Sequence, residues 1–182
     1  PKALFTAGAP LVLIGFVGAG KTTVGAALAT RLGRPHVDVD QALEAEVGPL
    51  PAYIEAVGVT AFREAEERVL RRVLPLVGTV ISCGAGTVRR VRSRPLVCRG
   101  ARVFFLDAPA EVIAARLQGM PPAACHRPDL VNPDPEVTRA NVERELTERR
   151  PLYLRLGEPV DATPPVEAVV EAIATRLAPT RR

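Results

Sequence analysis

Short apolar runs alternate along the chain with longer segments in which apolar residues recur at helical spacing. The apolar runs predict strands over Leu11–Ile14, His36–Val39, Thr79–Cys83, Arg102–Leu106 and Pro159–Asp161. The helical spacing predicts helices over Lys21–Leu32, Val59–Leu74, Pro109–Leu117, Glu136–Leu156 and Val166–Leu177. Because strands that alternate with helices form a mostly parallel sheet covered on both faces, the pattern predicts an α/β fold.

Two segments interrupt this alternation. Residues 41–74 are too long for a simple crossover and are predicted to form a helical insertion after the second strand. Residues 118–135 carry five prolines and no apolar period. A loop of that length in a compact domain is usually a lid or a binding loop. The length of the chain, residues 1–182, fits a single domain that contains both segments.

A glycine-rich loop lies between the first predicted strand and the first predicted helix. Residues 15–22 read Gly-Phe-Val-Gly-Ala-Gly-Lys-Thr, which in this context is typical of a phosphate-binding loop. Backbone N–H groups and the helix N-terminus would bind the phosphates, so the segment Gly18, Ala19, Gly20, Lys21, Thr22, Thr23 is predicted to contact the nucleotide. Lys21 would reach the outer phosphates, and the Thr22 hydroxyl would help to hold Mg²⁺. The alternative is a glycine turn that only begins a helix.

Composition narrows the choice of partners. The chain has 24 basic and 20 acidic residues, a net charge of +4, and only 4% aromatic residues. Scattered arginines with so few aromatic residues are a poor surface for stacking nucleic-acid bases, so an anionic small molecule is the simpler partner. No apolar run approaches the roughly 20 residues that span a bilayer, and no membrane partner is expected. The chain lacks the Asn/Thr-Lys-x-Asp element of guanine selectivity, which makes ATP the expected nucleotide.

The cysteines indicate a reducing compartment. Cys83, Cys98 and Cys125 are odd in number and lack metal-ligand spacing, so they are interpreted as reduced thiols of a cytoplasmic protein. Cys83 follows a predicted strand and is expected to fill the core. The chain begins at Pro1 rather than at a methionine, which leaves open that it is part of a longer protein.

Five further short patterns follow in order along the chain. They are Val37-Asp38-Val39-Asp40, Phe62-Arg63 with Glu66, Gly84-Ala85-Gly86, Arg127-Pro128, and Arg149-Arg150-Pro151-Leu152-Tyr153. Together with the phosphate loop, this series resembles the shikimate kinases, from Leu11 to about Leu177. The resemblance implies a three-layer P-loop kinase fold of the nucleoside-monophosphate-kinase type, with a five-stranded parallel sheet in the order 2-3-1-4-5. It also implies a monomer that uses ATP and Mg²⁺ to phosphorylate the 3-hydroxyl of shikimate in aromatic amino-acid biosynthesis.

Two aspartates lie at the end of the second predicted strand. Ligands of open parallel sheets bind at such strand ends, and residues at alternate strand positions face the same side, so Asp38 and Asp40 are both expected in the cleft. The resemblance implies that Asp40 contacts the acceptor hydroxyls as the proposed base and that Asp38 supports Mg²⁺ through water. The alternative for Asp38 is a cap on the following helix.

Two arginines are candidates for binding a carboxylate on the acceptor. A guanidinium can form paired, charge-assisted hydrogen bonds to a carboxylate, and the resemblance gives this role to Arg63 and Arg149. Glu66 would orient Arg63. The alternative is an ordinary ion pair on a helix face, such as Arg63 with Glu66 or Glu67.

The remaining candidates also depend on the resemblance. The turn Gly84, Ala85, Gly86 would offer backbone N–H groups to the acceptor, although the family usually has glycine at position 85. Alanine there would cost about 1 kcal/mol if the position required a positive φ. Arg127 would close on the phosphates from the lid. Arg116 and the turn at Pro164 would border adenine, with a plain surface role as the alternative for Arg116.

Two other functions stay open on the sequence. One is a related kinase for another carboxylated polyol, such as gluconate. The other is a shikimate-kinase-like domain that senses a ligand without catalysis, as part of a fusion with a DNA-binding module. The presence of every proposed catalytic and acceptor-binding side chain argues against the second.

Overall fold

The computed structural model describes residues 8–121 and 127–178. The strands are β1 (Leu11–Gly15), β2 (His36–Asp38), β3 (Val80–Ser82), β4 (Arg102–Asp107) and β5 (Glu158–Asp161). The helices are α1 (Lys21–Leu32), α2 (Val39–Val47), α3 (Leu50–Val73), α4 (Ser93–Cys98), α5 (Ala110–Gln118), α6 (Pro135–Leu156) and α7 (Val166–Leu177). Short 3₁₀ turns lie at Thr87–Arg89 and Pro128–Leu130.

The five strands form one parallel sheet in the order β2-β3-β1-β4-β5, which confirms the expected fold. β1 is central, and its residue Leu11 aligns with Val80 of β3 on one side and Arg102 of β4 on the other. Every residue of β1 is buried, since helices cover the sheet on both sides, and this explains its uninterrupted apolar sequence. The carboxyl ends of the strands therefore meet at one edge of the sheet.

Helix packing completes the core. α1 packs against α7, and α5 packs against α6. Tyr153 of α6 stacks on Phe105 of β4, with ring centroids 4.9 Å apart and an interplanar angle of 17°. Cys83 is buried directly after β3, as expected of a core-filling residue.

The second strand is shorter than predicted. It ends at Asp38, which is the N-cap of α2: its Oδ1 accepts hydrogen bonds from the backbone N–H groups of Asp40 (3.0 Å) and Gln41 (3.2 Å). The prediction that both aspartates occupy alternate positions of one strand is therefore wrong, because Asp40 lies in the first turn of α2. The Asp38 side chain accepts hydrogen bonds from the free N–H groups of the first helical turn. The helix therefore begins earlier than the apolar run predicts.

The segment between β2 and β3 consists of α2 and α3. α3 is broken at Gly58, whose φ of 79° and ψ of 162° are not helical, and the apolar period predicted only the part that follows this break. The period also missed α4, which has six residues. No helix in the described ranges combines the length and apolar character needed to cross a membrane.

Candidate active site

The phosphate loop connects β1 to α1 in the geometry that its glycines allow. Gly18 and Gly20 have φ values of 78° and 92°, in the left-handed region that favours glycine. Gly20 is the N-cap of α1, where no side chain caps the helix and no acidic residue lies in the first turn. The N–H groups at this helix terminus are therefore well placed to bind an anion.

Lys21 lies at the start of α1, and its Nζ donates a hydrogen bond to the carbonyl of Phe16 at 2.8 Å. Burial lowers the pKa of Lys21, and the nearby carboxylates of Asp40 and Asp38 offset this only in part. The lysine is thus close to both aspartates, and a bound phosphate would favour its charged form.

Thr22 and Asp38 are in direct contact. The Thr22 hydroxyl donates to Asp38 Oδ2 at 2.6 Å, while Oδ1 of the same carboxylate caps α2. Asp38 is therefore the helix cap that the sequence offered as an alternative, and it also lies beside the phosphate loop. A hydroxyl and a carboxylate oxygen are hard ligands of the kind that Mg²⁺ takes together with phosphate and water, so this pair fits the ion.

Glu66 contacts Arg63 and Thr87 from within the protein. It is only 1% exposed. Its Oε2 accepts a hydrogen bond from Arg63 Nη1 at 2.7 Å, and its Oε1 accepts one from the Thr87 hydroxyl at 2.8 Å. The Arg63 guanidinium also lies over the ring of Phe62, 4.9 Å from the ring centre. The predicted contact between Glu66 and Arg63 is present, and it holds the guanidinium in one orientation.

The turn Gly84-Ala85-Gly86 lies against three of the predicted residues. A Cβ placed on Gly84 would be 2.6 Å from Asp40 Oδ1 and 2.7 Å from Glu66 Oε1, and one on Gly86 would collide with the Arg63 guanidinium. Asp40, Glu66 and Arg63 are therefore gathered around this turn. No residue other than glycine has a positive φ in the described part of the chain, so Ala85 carries no left-handed strain.

Arg149 lies on α6, with its guanidinium over Phe16 of the phosphate loop. It is 4% exposed, and its guanidinium carbon lies 5.0 Å from the centre of the Phe16 ring. Its Nη2 donates to Glu145, and its Nε is buried without a hydrogen-bond partner among the described residues. One turn further along α6, the Tyr153 hydroxyl donates to the carbonyl of Ala85 at 2.9 Å. This bond ties α6 to the turn that also contacts Arg63.

Arg127 contacts two carboxylates. Its Nε donates to Asp129 Oδ1 at 2.8 Å, and its Nη2 donates to Glu145 Oε1 at 2.7 Å. These hydrogen bonds raise the pKa of Arg127, with the bond to Asp129 as the largest cause. The residues of the predicted lid at 122–126 lie outside the described residues.

Arg116 joins the phosphate loop to the turn after β5. Its Nη2 donates to the carbonyl of Ala162 at 2.7 Å, and its Nη1 approaches the carbonyl of Gly18 at 3.4 Å. Pro164 lies two residues beyond Ala162 in the same turn. These contacts place Arg116 beside the phosphate loop.

Several participants were missed by the sequence reasoning. Glu145 lies four residues before Arg149 on one helix, a spacing that could have identified it as a partner. Asp129 lies two residues after its partner Arg127, and no pattern marked it. Phe16 and Thr87 contact Arg149 and Glu66 across the fold, where no local pattern indicates a contact.

Comparison with known proteins identifies the family. The family profile described as shikimate kinase matches residues 17–178. The chain belongs to the shikimate kinase family. A shikimate kinase of Rhodopseudomonas palustris is 39% identical over 145 residues, which are 79% of this chain and 68% of that protein. One of Oleidesulfovibrio alaskensis is 35% identical over 170 residues, which are 92% of this chain and 96% of that protein.

Solved structures of the family are also similar. The shikimate kinase of Bacteroides thetaiotaomicron superposes with a TM-score of 0.83 at 27% identity, covering 94% of this chain and 99% of that one. The shikimate kinase of Acinetobacter baumannii in complex with shikimate gives a TM-score of 0.78 at 27% identity, covering 97% and 98% of the two chains.

Proposed function

We propose that this protein is a shikimate kinase, which transfers the γ-phosphate of ATP to the 3-hydroxyl of shikimate. The observation that carries the proposal is the grouping of Asp40, Glu66 and Arg63 around the 84–86 turn, with Lys21 within electrostatic reach of Asp40. A carboxylate that can orient a hydroxyl and a guanidinium that can bind a carboxylate thus lie beside a phosphate loop. Shikimate carries both groups that such a site would bind, a hydroxyl and a carboxylate.

On the nucleotide side, the loop from Gly18 to Thr23 binds the phosphates. Lys21 neutralises their outer charges, and Arg127 stabilises the charge of the transferring group, as arginine side chains do in other phosphoryl transferases. Arg116 and the turn at Pro164 border the base. Transfer then depends on positioning and charge neutralisation rather than on covalent chemistry by the protein.

On the acceptor side, Arg63 and Arg149 bind the acceptor carboxylate with charge-assisted hydrogen bonds. Glu66 keeps Arg63 in place, and the backbone of residues 84–86 lines the pocket. The buried Nε of Arg149, which has no hydrogen-bond partner in the described part of the chain, is a donor available to a ligand. Asp40 accepts a hydrogen bond from the acceptor hydroxyl and takes its proton as the oxygen attacks phosphorus.

Thr22 and, through water, Asp38 would hold Mg²⁺. When bound, the ion neutralises phosphate charge and polarises the phosphoryl oxygens. Removal of divalent cations with EDTA is expected to abolish turnover, and added Mg²⁺ is expected to restore it. Turnover that persists at full rate in EDTA would contradict this assignment.

The proposal extends to the organisation of the chain. Residues 1–182 form one domain in which the insertion at about 41–74 binds the acceptor and the segment at about 118–135 is the lid that brings Arg127 to the phosphates. The protein acts as a cytoplasmic monomer, with small molecules rather than nucleic acid or membrane as its partners.

The experiment is a coupled assay of ADP formation with Mg-ATP and a panel of acceptors. Shikimate at millimolar concentration is expected to give rapid turnover, and gluconate is expected to give little. Absence of turnover with shikimate rejects the proposal. Turnover with gluconate alone would indicate a kinase for another carboxylated polyol, and calorimetric binding of shikimate without turnover would indicate a ligand sensor.

A further inference from the structure

One carboxylate connects two arginines that the proposed function places at different substrates. Glu145 Oε1 accepts a hydrogen bond from Arg127 Nη2 at 2.7 Å, and Glu145 Oε2 accepts one from Arg149 Nη2. Arg127 also donates to Asp129, through Nε at 2.8 Å and through the same Nη2 at 2.6 Å. Two cations and two anions thus form one continuous network on α6 and the preceding turn.

Glu145 is held in this network in its charged form. Burial raises the pKa of its carboxyl, but the hydrogen bond from Arg127 and the charges of Arg149 and Arg127 outweigh burial, so the pKa lies below its ordinary value. Its side chain is 20% exposed, whereas that of Arg149 is 5% exposed. Removing one partner from a charged pair this sheltered from solvent costs more than removing one from a surface pair, because the other charge is left buried and unpaired.

The two contacts have opposite consequences for ligand binding. The bond to Arg149 fixes one guanidinium nitrogen and leaves the buried Nε for an acceptor carboxylate. Arg127 is ion-paired to Glu145 and Asp129, so a phosphate must compete with these carboxylates for its guanidinium. The contact with Arg149 therefore favours binding of the acceptor, and the contact with Arg127 opposes binding of the nucleotide.

We propose that Glu145 is a positioning residue for both substrates, with one carboxylate oxygen aiming Arg149 at the acceptor carboxylate and the other restraining Arg127. This inference rests on the proposed function, because it takes the ligands of the two arginines from it. It adds that one side chain sets both the affinity for the acceptor and the availability of Arg127 for the nucleotide phosphates.

The decisive variant is Glu145→Gln. Glutamine has a single acceptor oxygen and presents N–H groups on its other arm, so it cannot accept from both arginines. We expect KM for shikimate to rise about tenfold, from the loss of one charge-assisted bond that orients Arg149. KM for ATP is expected to fall about two- to fivefold, because an ion pair that restrains Arg127 is lost. Opposite shifts distinguish positioning from general damage, which would raise both.

Two matched variants complete the design. Asp129 contacts Arg127 but not Arg149, so Asp129→Asn is expected to lower KM for ATP and leave KM for shikimate within about twofold. Glu143 lies on the same helix, exposed, and pairs with Arg139, so Glu143→Gln makes the same charge change and is expected to leave both values within about twofold.

Each outcome decides the inference. It is overturned if Glu145→Gln behaves like Glu143→Gln, or if it raises both KM values together with a loss of thermal stability. If Glu145→Gln does not fold, Glu145→Asp keeps the charge and is expected to show smaller shifts in the same opposite directions; unchanged values there would overturn it. Failure of the wild type to phosphorylate shikimate would reject the proposed function itself, whereas an active wild type with an indifferent Glu145→Gln rejects only this inference.

Discussion

Replacing Gly86 by alanine places a single methyl group against the Arg63 guanidinium. The backbone at Gly86 has φ of −88° and ψ of −10°, which alanine adopts without strain. A Cβ built there collides with Arg63, at the flexible end of that side chain rather than at backbone. The guanidinium must therefore move, while the fold has no reason to change.

The size of the effect follows from the bonds that Arg63 would lose. Its displacement weakens the 2.7 Å bond to Glu66 and misaligns the charge-assisted bonds to the acceptor carboxylate. Bonds of that kind contribute about 1.5–3 kcal/mol each. Gly86→Ala is therefore expected to raise KM for shikimate about 10- to 100-fold, since every 1.4 kcal/mol is about tenfold.

The assay is the coupled ADP assay with shikimate titrated at saturating Mg-ATP, together with calorimetric binding of ADP. ADP affinity is expected to stay within about twofold, because Arg63 does not contact the phosphate loop's binding groups in the proposed site. Ala85→Gly is the matched control. It removes a methyl group one residue earlier in the same turn and leaves Arg63 in place, so KM for shikimate should change little.

An unchanged KM for shikimate in Gly86→Ala would show that Arg63 does not bind the acceptor. An equally harmful Ala85→Gly would show that the turn as a whole, rather than the contact with Arg63, is responsible.

Three further predictions concern single side chains. Asp40→Asn is expected to lower turnover by about 10²-fold or more while ADP affinity stays within about twofold; a variant that keeps most of its turnover would remove the assigned role. Arg116→Gln, which loses the bonds to the Ala162 and Gly18 carbonyls, should weaken ADP binding about tenfold in calorimetry, and unchanged affinity would contradict its place at the nucleotide. Ser82→Ala leaves the Lys21 carbonyl without its 2.8 Å bond and should lower stability by about 1–3 kcal/mol, measured by denaturant unfolding. The exposed Thr30→Ala, whose hydroxyl also donates to a carbonyl, should cost no more than about 0.5 kcal/mol.

Much of the fold could be predicted from the sequence because its signals are local. About twenty consecutive residues contain the buried strand at Leu11, the glycine loop and the helix from Lys21. Each of these elements depends on backbone geometry and apolar period rather than on distant contacts. The order of the strands came from the resemblance to a family and not from the period. The start of α2 was misplaced because a capping side chain, not a change in hydrophobicity, decides where that helix begins.

Some residues of the candidate site could be predicted, but their arrangement in space could not. The resemblance to a family pointed to Asp40, Arg63 and Arg149, each on a different segment of the chain. Sequence could not tell whether Arg63 formed a plain ion pair with Glu66 or bordered a pocket. The structure shows the ion pair with the buried Glu66, and it places the Arg63 guanidinium against the 84–86 turn.

By itself, the sequence determined a phosphate loop in an α/β chain, because that loop is built from consecutive residues whose backbone does the binding. Only the tertiary structure decided that Glu145 lies between Arg127 and Arg149 and that Tyr153 bonds to the carbonyl of Ala85. The physical reason is that hydrogen bonds act over about 3 Å, and for residues far apart along the chain, such as Arg127 and Glu145 or Tyr153 and Ala85, only the fold sets that distance.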